Sequence, residues 1–525
     1  MSNSATNLPA GWISIRLGDL YTFEYGKSLI KGARIADGIY PVYGSSGIVG
    51  MHDQYLIEGP AIIIGRKGAA GSVHYSTDNL WPIDTTYYVR DNRNLYLRFS
   101  CYLFRSLNLA KLEASTAIPG LNRNHDYDET VLLPPLKEQH RIVAKIEELF
   151  SELDKGVEYL KTAQAQLKVY RQALLKHAFE GKLTAQWRVE RHAQQSVAPA
   201  KAGAQPLNDM DSRPTPSRGL ALRGNDEVGS RDDEPLETTD TLLKRIQQER
   251  AQRYQQQLAD WETSGKQGSK PKPPKLPPPL TAGELAELPE LPEGWVYSYL
   301  ADLGDLGRGK SKHRPRNDPR LFGGIYPFIQ TGEVKSANRI IRQYSQTYSD
   351  FGLQQSKLWP TGTLCITIAA NIAETAFLGF DSCFPDSVVG FSAFKKTIIP
   401  EYVDFFIQAA RMRIEAYAPA TAQKNINLET LENLVVPYCC LEEQRQILDI
   451  LEERFSVIDQ LSQTITTALQ QAEALRQSIL KKAFSGQLAP QDPNDEPASE
   501  LLARIKVERL VSQGNVVVRR KGGRS

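Results

Sequence analysis

The sequence predicts an α+β protein. We expect two mixed α/β globular domains separated by two long, antiparallel coiled-coil helices, arranged as a pseudo-two-fold tandem repeat. Three observations predict this class: the chain of 525 residues repeats itself, each copy contains a long heptad-patterned segment, and each copy has short apolar runs broken by Gly, Pro and Asn or Asp. A chain of this length exceeds one ordinary domain, so two to four are expected.

The repeat is clearest in the helical segments. KEQHRIVAKIEELFSELD (137–154) matches EEQRQILDILEERFSVID (442–459) without a gap, and RQALLKHAFEGKL (171–183) matches RQSILKKAFSGQL (476–488) at the same offset. Other matches follow in one order: LPAGWISIRLGDL (8–20) with LPEGWVYSYLADL (291–303), GIYPV (38–42) with GIYPF (324–328), TAIPGLN (116–122) with TAQKNIN (421–427), and TLLKRIQQER (241–250) with ELLARIKVER (500–509). This order indicates a tandem duplication. Because 43–115 and 329–420 diverge most, we infer one framework that carries two specificities.

The globular parts, 1–135 and 291–438, are predicted to be mixed α/β domains. Their apolar runs have the length and the β-branched or aromatic content of strands, as in AIIIG (61–65), TYYV (86–89), TLCITIAA (363–370) and SVVGFSAF (387–394). The segments 95–114 and 401–418 are the predicted helices of these domains.

The two long helices are predicted over 136–184 and 439–489. Apolar residues recur at heptad spacing in both and are predicted to pair the helices: Ile146, Leu153, Leu160, Leu167, Leu174, Leu451, Ile458, Ile465 and Ile479. Phe150 and Phe455 fill the alternate position, which Arg171 and Arg476 interrupt. A helix of about forty residues is roughly 60 Å long. Gly181 and Gly486 follow the last apolar turn, as C-terminal glycines do.

The remaining segments are predicted to connect these parts. Residues 185–240 contain a stretch with almost no large apolar side chains, which predicts a disordered insertion. A helix is expected over 241–263 and a proline-rich linker over 264–290, where PKPPKLPPPL (271–280) predicts an extended spacer. Residues 490–525 are predicted to be a C-terminal helix and a basic tail.

Composition excludes several classes of protein. Lys and Arg number 63 against 61 Asp and Glu, so any nucleic-acid surface is local rather than a polybasic coat. The sequence has no run of 18 apolar residues, and its N-terminus lacks a basic start followed by an apolar core. We therefore expect neither a membrane protein nor a secreted one, and we expect a cytoplasmic location. Five cysteines without a CxxC pair argue against a disulfide framework or a structural zinc site.

No catalytic motif is convincing, and we expect neither a catalytic residue nor a metal site. GDLGRGKS (304–311) satisfies the phosphate-loop pattern, but KHRPRNDPR follows where a helix is required. A nuclease site would need Asp318, Glu333 and Lys335, and the first copy has no equivalent. No cofactor-binding GxGxG turn of a methyltransferase is visible, and the histidines lack ligand spacing.

Local basic clusters favour DNA binding by loops. The second domain concentrates cations between 308 and 320, and the first has cations at the corresponding place and in the Gly-rich segment 65–71. Such clusters suit contacts to DNA phosphates. The candidate DNA-binding residues are Lys27, Ser28, Lys31, Arg34, Arg66, Lys67, Arg308, Lys310, Lys312, Arg314, Arg316 and Lys424. The alternative for each cluster is a solvated charged loop.

This order of motifs resembles the specificity subunit of a type I restriction–modification system. The marks are Leu8-Pro9-Ala10-Gly11-Trp12, Pro134-Pro135-Leu136-Lys137-Glu138-Gln139 and Ala178-Phe179-Glu180-Gly181-Lys182-Leu183, with second copies at Leu291–Trp295, Leu441-Glu442-Glu443-Gln444 and Ala483-Phe484-Ser485-Gly486-Gln487-Leu488. The resemblance spans nearly the whole chain. Two features depart from the pattern: Tyr438-Cys439-Cys440 replaces the usual Pro-Pro, and the insertion at 190–236 is foreign to it.

The resemblance implies a non-catalytic subunit. Each globular domain would be a target-recognition domain for one half of a bipartite double-stranded DNA target, and the helices would set the spacer and dock two methyltransferase subunits. S-adenosylmethionine would be bound by those partners, which methylate adenine. ATP and magnesium would be used by restriction–translocase subunits, so no cofactor is expected in this chain. The alternatives are a self-sufficient DNA-modifying enzyme and a coiled-coil scaffold without a DNA role.

Overall fold

A computed structural model describes residues 8–525 except 92–93, 108, 110–120, 198–238, 267–269, 272, 274–279, 395–396, 417–424 and 522–525. The chain divides into two compact units. The first unit contains residues 1–164 and 463–525, and the second contains residues 165–462. Among the described residues, no helix combines the length and apolar character needed to cross a membrane.

The first globular domain is a mixed α/β structure, as predicted. Its strands are β1 (Ile13–Arg16), β2 (Glu24–Tyr25), β3 (Tyr40–Gly44), β4 (Gly47–His52), β5 (Ala61–Gly65), β6 (Val73–Ser76), β7 (Trp81–Pro82), β8 (Thr86–Arg90) and β9 (Thr130–Leu133). Its helices are α1 (Leu17–Leu20), α2 (Leu97–Leu107) and α3 (Arg123–Asp128), with a 3-10 turn at Lys31–Ala33.

The described residues between the two domains form four helices. They are α4 (Leu136–Phe179), α5 (Ala185–Val197), α6 (Thr239–Thr263) and α7 (Ala282–Ala286). The predicted disordered insertion over 185–240 is therefore wrong at its start, because α5 is helical and its Trp187 packs on the core of the second unit. Residues 198–238 of that prediction lie outside the described part of the chain.

The second domain repeats the class of the first. Its strands are β10 (Val296–Tyr299), β11 (Gly304–Arg308), β12 (Phe322–Phe328), β13 (Ile340–Ile341), β14 (Gln346–Tyr348), β15 (Leu364–Thr367), β16 (Thr375–Leu378), β17 (Val388–Ala393) and β18 (Val435–Tyr438). Its helices are α8 (Leu300–Leu303), α9 (Thr331–Ser336), α10 (Asp350–Gln354), α11 (Pro400–Ala416) and α12 (Leu428–Glu432), with a 3-10 turn at Pro319–Leu321. Two further helices follow, α13 (Leu441–Phe484) and α14 (Ala498–Lys521).

The main sheets of the two domains share one strand order. In the first domain the order is β2-β8-β5-β6, and in the second it is β11-β17-β15-β16 with β13 added at the edge. The central strands β5 and β15 are buried at every position, which fits their runs of branched apolar residues. The domains also share a two-stranded antiparallel ladder, β1 with β9 and β10 with β18. The shared topology supports the predicted tandem repeat.

Each globular domain is completed by the helix end of the other copy. The core of the first unit includes Ile479, Leu480, Leu501 and Ile505 from the last part of the chain. The core of the second unit includes residues of α4 and α6, namely Leu174, Leu175, Ala178, Phe179, Leu242 and Ile246. These side chains are nearly inaccessible to solvent. Burial of the far helix ends is therefore part of the hydrophobic stabilisation of each domain.

The long helices run antiparallel where they meet within each unit. In the second unit Arg171 pairs with Asp459, and further along α4 and α5 Arg188 pairs with Glu443. In the first unit Arg476 pairs with Asp154, while Asp495, beyond the end of α13, pairs with Arg141. Rising residue numbers along one partner thus meet falling numbers along the other, and the predicted fold class is confirmed.

Candidate nucleic-acid interface

A Gly-Lys-Ser segment follows the first strand of the main sheet in both domains. Gly26 N–H donates to the carbonyl of Thr86 at 3.1 Å, and Gly309 N–H donates to the carbonyl of Val388 at 2.9 Å. A Cβ at Gly26 would lie 2.0 Å from the carbonyl oxygen of Ile83. At Gly309 it would lie 2.2 Å from that of Pro385. Both glycines therefore allow the backbone to approach the opposite turn more closely than any other residue would.

The lysines of these segments face solvent. Lys27 and Lys310 are exposed, and the side chain of neither makes a hydrogen bond or ion pair with the described residues. Lys310 is followed by irregular chain and a 3-10 turn rather than by a helix. The nucleotide loop that the GxxxxGK[ST] pattern specifies is therefore absent here, because residues 304–308 form strand β11.

Two arginines of the first domain stack on one tyrosine. The guanidinium of Arg66 lies 5.3 Å from the centre of the Tyr25 ring, and that of Arg123 lies 4.7 Å from it. Arg66 also donates to the carbonyl of Asp84 at 2.8 Å, and Arg123 donates to the carbonyl of Phe23 at 3.0 Å. Tyr25 is 51% exposed. The stacking holds two guanidiniums beside an accessible aromatic ring.

Sequence reasoning missed Tyr25 and Arg123. Arg123 lies more than fifty residues from the basic cluster around Arg66, so no local charge pattern points to it. Tyr25 precedes the Gly-Lys-Ser segment directly, and its alignment with Arg308 in the second copy was the available signal.

The other candidates of the first domain differ in how firmly they are held. Arg34 is half-buried and donates to the carbonyl of Val49 at 3.0 Å, so its guanidinium holds the segment between β2 and β3 in place. Lys31 and Lys67 are exposed, and so is Ser28. The carbonyl of Lys67 accepts a hydrogen bond from Ser45, which fixes the Gly-rich segment after β5.

In the second domain the basic segment is folded on itself. Arg314 donates to the carbonyls of Ser311 and His313 at 2.6 and 2.9 Å, and Arg316 forms an ion pair of 2.9 Å with Asp386. Arg308 donates through Nε to the carbonyl of Asp386. Lys310 and Lys312 are exposed. Lys424 lies outside the described residues.

The residues of the rejected nuclease site do not converge. Hydrogen bonds from Arg320 and His313 hold the pKa of Asp318 well below its usual range. Glu333 caps α9 by accepting the backbone N–H of Gln330 at 3.2 Å. Lys335 donates to Asn371 at 3.2 Å. Among the described residues no group of His, Cys, Asp and Glu side chains has the geometry of a metal site.

The residues predicted to pair the helices lie on the less exposed side of α4 and α13. Leu153, Leu160 and Leu167 are half-buried, and the other six are buried: Ile146, Leu174, Leu451, Ile458, Ile465 and Ile479. The arginines that interrupt the heptads complete the packing. Arg171 lies 4.0 Å from the ring centre of Phe455, and Arg476 lies 4.5 Å from that of Phe150.

This arginine arrangement occurs at equivalent positions in both units. Arg171 and Arg476 are equivalent in the repeat, as are their ion-pair partners Asp459 and Asp154. Each unit therefore joins an arginine from the end of one copy's helix to an Asp and a Phe from the start of the other's. The equal spacing of these residues in the two copies was the signal available in the sequence.

The tryptophan of each LPxGW motif anchors the start of the adjoining long helix. Trp12 donates to Glu138 at 2.9 Å and Trp295 donates to Glu443 at 2.9 Å. The next residue joins helix and domain: Gln139 accepts the backbone N–H of Tyr96 and donates to the carbonyl of Pro134. Gln444 accepts from Ile399 and donates to the carbonyl of Cys439. The Cys439-Cys440 replacement of Pro-Pro therefore leaves the start of the second helix unchanged.

The proline of each LPxGW motif contacts the glycine that ends the other copy's helix. A Cβ on Gly486 would lie 2.4 Å from Cγ of Pro9, and a Cβ on Gly181 would lie 2.4 Å from Cγ of Pro292. Both glycines have left-handed φ values, +73° and +66°. Each motif thus binds the start of its own copy's helix through tryptophan and the end of the other's through proline.

Comparison with known proteins identifies similar chains. A family model described as the type I restriction modification DNA specificity domain matches residues 9–162 and 292–471. The specificity subunit of type I restriction enzyme EcoDI from Escherichia coli is 22% identical over 99% of this chain and 100% of that protein. The StySPI specificity subunit of Salmonella potsdam is 34% identical over 43% of this chain and 52% of its own length. A structure solved for the assembly and conformational transition of a type I R-M system has a TM-score of 0.59 at 17% identity, over 92% of this chain and 99% of that one, and so shares the fold.

Proposed function

This chain belongs to the type I restriction modification DNA specificity family, and we propose that each of its two domains binds one half of a bipartite double-stranded DNA target. Two family matches, one in each copy, support the assignment of one reading domain to each half. The different residues beside the two Gly-Lys-Ser segments support unlike half-sites. Arg66, Tyr25 and Arg123 lie there in the first domain, and Arg308, Arg314 and Arg316 in the second.

We further propose that α4 and α13 set the distance between the half-sites and dock two methyltransferase subunits. The observation that carries this proposal is the Arg-Asp-Phe arrangement repeated in each unit. It ties one helix to the other at two equivalent places. A helix of 44 residues is about 66 Å long, and half-sites on one face of DNA recur about every 34 Å. One such helix is therefore long enough to span more than one turn of the duplex.

The partners would supply the chemistry, in the cytoplasm where the DNA lies. Methyltransferase subunits would bind S-adenosylmethionine and methylate adenine, and restriction–translocase subunits would use ATP and magnesium. This chain would supply the DNA sequence specificity. Arg66 and the cations from 308 to 316 would contact DNA, so Arg66→Ala is expected to weaken DNA binding while leaving partner assembly intact.

One experiment separates this proposal from its alternatives. Methylation patterns are mapped across the genome of cells with and without this chain, and the purified chain is tested by DNA footprinting with and without methyltransferase subunits. A two-part methylated motif that disappears with the chain, together with a matching footprint, supports the proposal. Methylation or cleavage by the chain alone would indicate a self-sufficient enzyme, and assembly without any sequence-dependent footprint would indicate a scaffold.

A further inference from the structure

The hydrogen bonds of the two main sheets allow the domains to be compared position by position. Arg66 N–H donates to the carbonyl of Thr85, and Ile368 N–H donates to the carbonyl of Ser387. The carbonyl of Arg66 accepts from Leu121 N–H, and the carbonyl of Ile368 accepts from Ile426 N–H. Arg66 and Ile368 therefore occupy equivalent positions, and the second domain has a buried isoleucine where the first has an arginine.

Tyr25 and Arg308 are equivalent in the same way. Each ends the edge strand of the main sheet and directly precedes the Gly-Lys-Ser segment, and each pairs with the neighbouring strand. The first domain therefore has tyrosine where the second has arginine. A comparison of sequences alone would conclude that neither arginine has a counterpart.

The two guanidiniums nevertheless bind backbone carbonyls at equivalent positions. Arg66 donates to the carbonyl of Asp84, and Arg308 donates to the carbonyl of Asp386. These aspartates are equivalent because the turns that contain them close with the same bond: Thr86 N–H donates to Ile83, and Val388 N–H donates to Pro385. In each domain an arginine therefore reaches the equivalent carbonyl. In the first domain it comes from the segment after β5, and in the second from the end of β11.

We propose that Arg66 and Arg308 make the same DNA phosphate contact in the two domains, each together with the lysine of the adjacent Gly-Lys-Ser segment. The proposal rests on the DNA-binding function proposed above. Lys27 and Lys310 are equivalent and exposed, so each domain presents one lysine and one carbonyl-oriented arginine. A guanidinium has five N–H donors, and the bond to the carbonyl leaves donors free for phosphate oxygens.

A contact that both domains share fits phosphate better than bases. Phosphate contacts position a protein without carrying sequence information, whereas base contacts must differ when the half-sites differ. The neighbours of the shared pair do differ. Tyr25 and Arg123 flank Arg66 in the first domain. In the second domain Arg308 stands at the position of Tyr25, and Leu428 at that of Arg123. In the first domain, base reading is therefore assigned to the divergent neighbours Tyr25 and Arg123.

The test moves the arginine of the first domain to the position used by the second. The parent chain, Arg66→Ile and the double variant Tyr25→Arg with Arg66→Ile are each assembled with their methyltransferase subunits. They are titrated with a labelled duplex carrying the motif mapped by methylome sequencing, between about 50 and 200 mM salt. Arg66→Ile is expected to lower affinity roughly tenfold and to reduce the salt slope by about one. The double variant is expected to restore the slope.

Matched controls separate a DNA contact from a structural role. Arg105 also stacks on a tyrosine, Tyr102, and donates to a backbone carbonyl, but it lies on α2 outside the basic cluster. Arg105→Ile is expected to leave the slope unchanged. Arg66→Lys keeps the charge, so it should retain the slope even if Arg66→Ile fails to fold.

Three results would each overturn the inference. They are an unchanged salt slope in a folded Arg66→Ile variant, a salt slope reduced by about one in Arg66→Lys, and no recovery of the salt slope in a folded double variant. A parent chain with no sequence-dependent binding would instead overturn the proposed function.

Discussion

Replacement of Gly486 by alanine is expected to destabilise the first unit by about 2 to 5 kcal/mol. The glycine ends α13 at φ +73°, and its Cβ would lie 2.4 Å from Cγ of Pro9. The left-handed conformation costs an L-residue about 1 to 2 kcal/mol. Moving a proline ring that is fixed in the backbone costs about 1 to 3 kcal/mol more. The equivalent change at Gly181, beside Pro292, should destabilise the second unit by a similar amount.

Gly156 provides the matched control. It lies within α4, and apart from the backbone of that helix no atom of the described residues comes within 4 Å of the place that a Cβ would take, so alanine there meets no obstacle. Because glycine inside a helix is less stable than alanine by about 0.5 to 1 kcal/mol, Gly156→Ala should stabilise the protein by that amount. Both substitutions replace glycine by alanine, yet they are expected to change the free energy of unfolding in opposite directions.

Hydrogen exchange measured by mass spectrometry reads these effects locally. Gly486→Ala should speed exchange in residues 8–16 and 484–498 together by roughly 30-fold or more, because 1.4 kcal/mol corresponds to a factor of ten. Gly156→Ala should leave both segments protected. If Gly486→Ala left exchange in residues 8–16 unchanged, the contact between the proline motif and the helix end would not contribute to stability.

Two further predictions concern the helix contacts. Arg476→Ala should lower the stability of the first unit by about 1 kcal/mol, mostly through the lost stacking, since the ion pair is largely exposed; Arg476→Lys should not restore it, and equal thermal midpoints for all three proteins would contradict this. Burial raises the pKa of Glu138 above its ordinary 4.5. The folded state therefore favours the protonated carboxyl, and the stability contributed by this proton is lost as pH rises from 4.5 through the raised pKa. Glu138→Gln should therefore be neutral or stabilising at neutral pH, whereas Glu443→Gln breaks a buried pair with Arg188 and should cost about 3 to 5 kcal/mol. Thermal unfolding from pH 4 to pH 8 distinguishes them, and equal losses would refute the argument.

The repeat and its heptads were sufficient to predict the fold class. Apolar spacing places residues such as Ile146 and Leu451 without knowledge of the partner helix, because a helical seam must be buried. Spacing did not predict Arg171 correctly. An arginine at a seam position counts as an interruption in a heptad pattern, yet the guanidinium of Arg171 stacks on Phe455 and pairs with Asp459.

The candidate interface was predictable only in part. The Gly-Lys-Ser segments could be found because both copies carry them at the same offset. The link between Arg66 and Arg308 could not, since it depends on which carbonyl each side chain reaches across a sheet. Helix α5 was also missed, because its sequence lies next to a polar, alanine-rich stretch and only Trp187 indicates packing.

The exchange of helix ends between the copies delays completion of the first domain during synthesis. The first domain emerges early from the ribosome, but Ile479, Leu501 and Ile505, which cover part of its core, are translated last. About 300 residues separate the two portions of the first unit, which at roughly 5 to 20 residues per second is a delay of about 15 to 60 s. Until then the nascent first domain carries an uncovered apolar surface, a natural target for a chaperone.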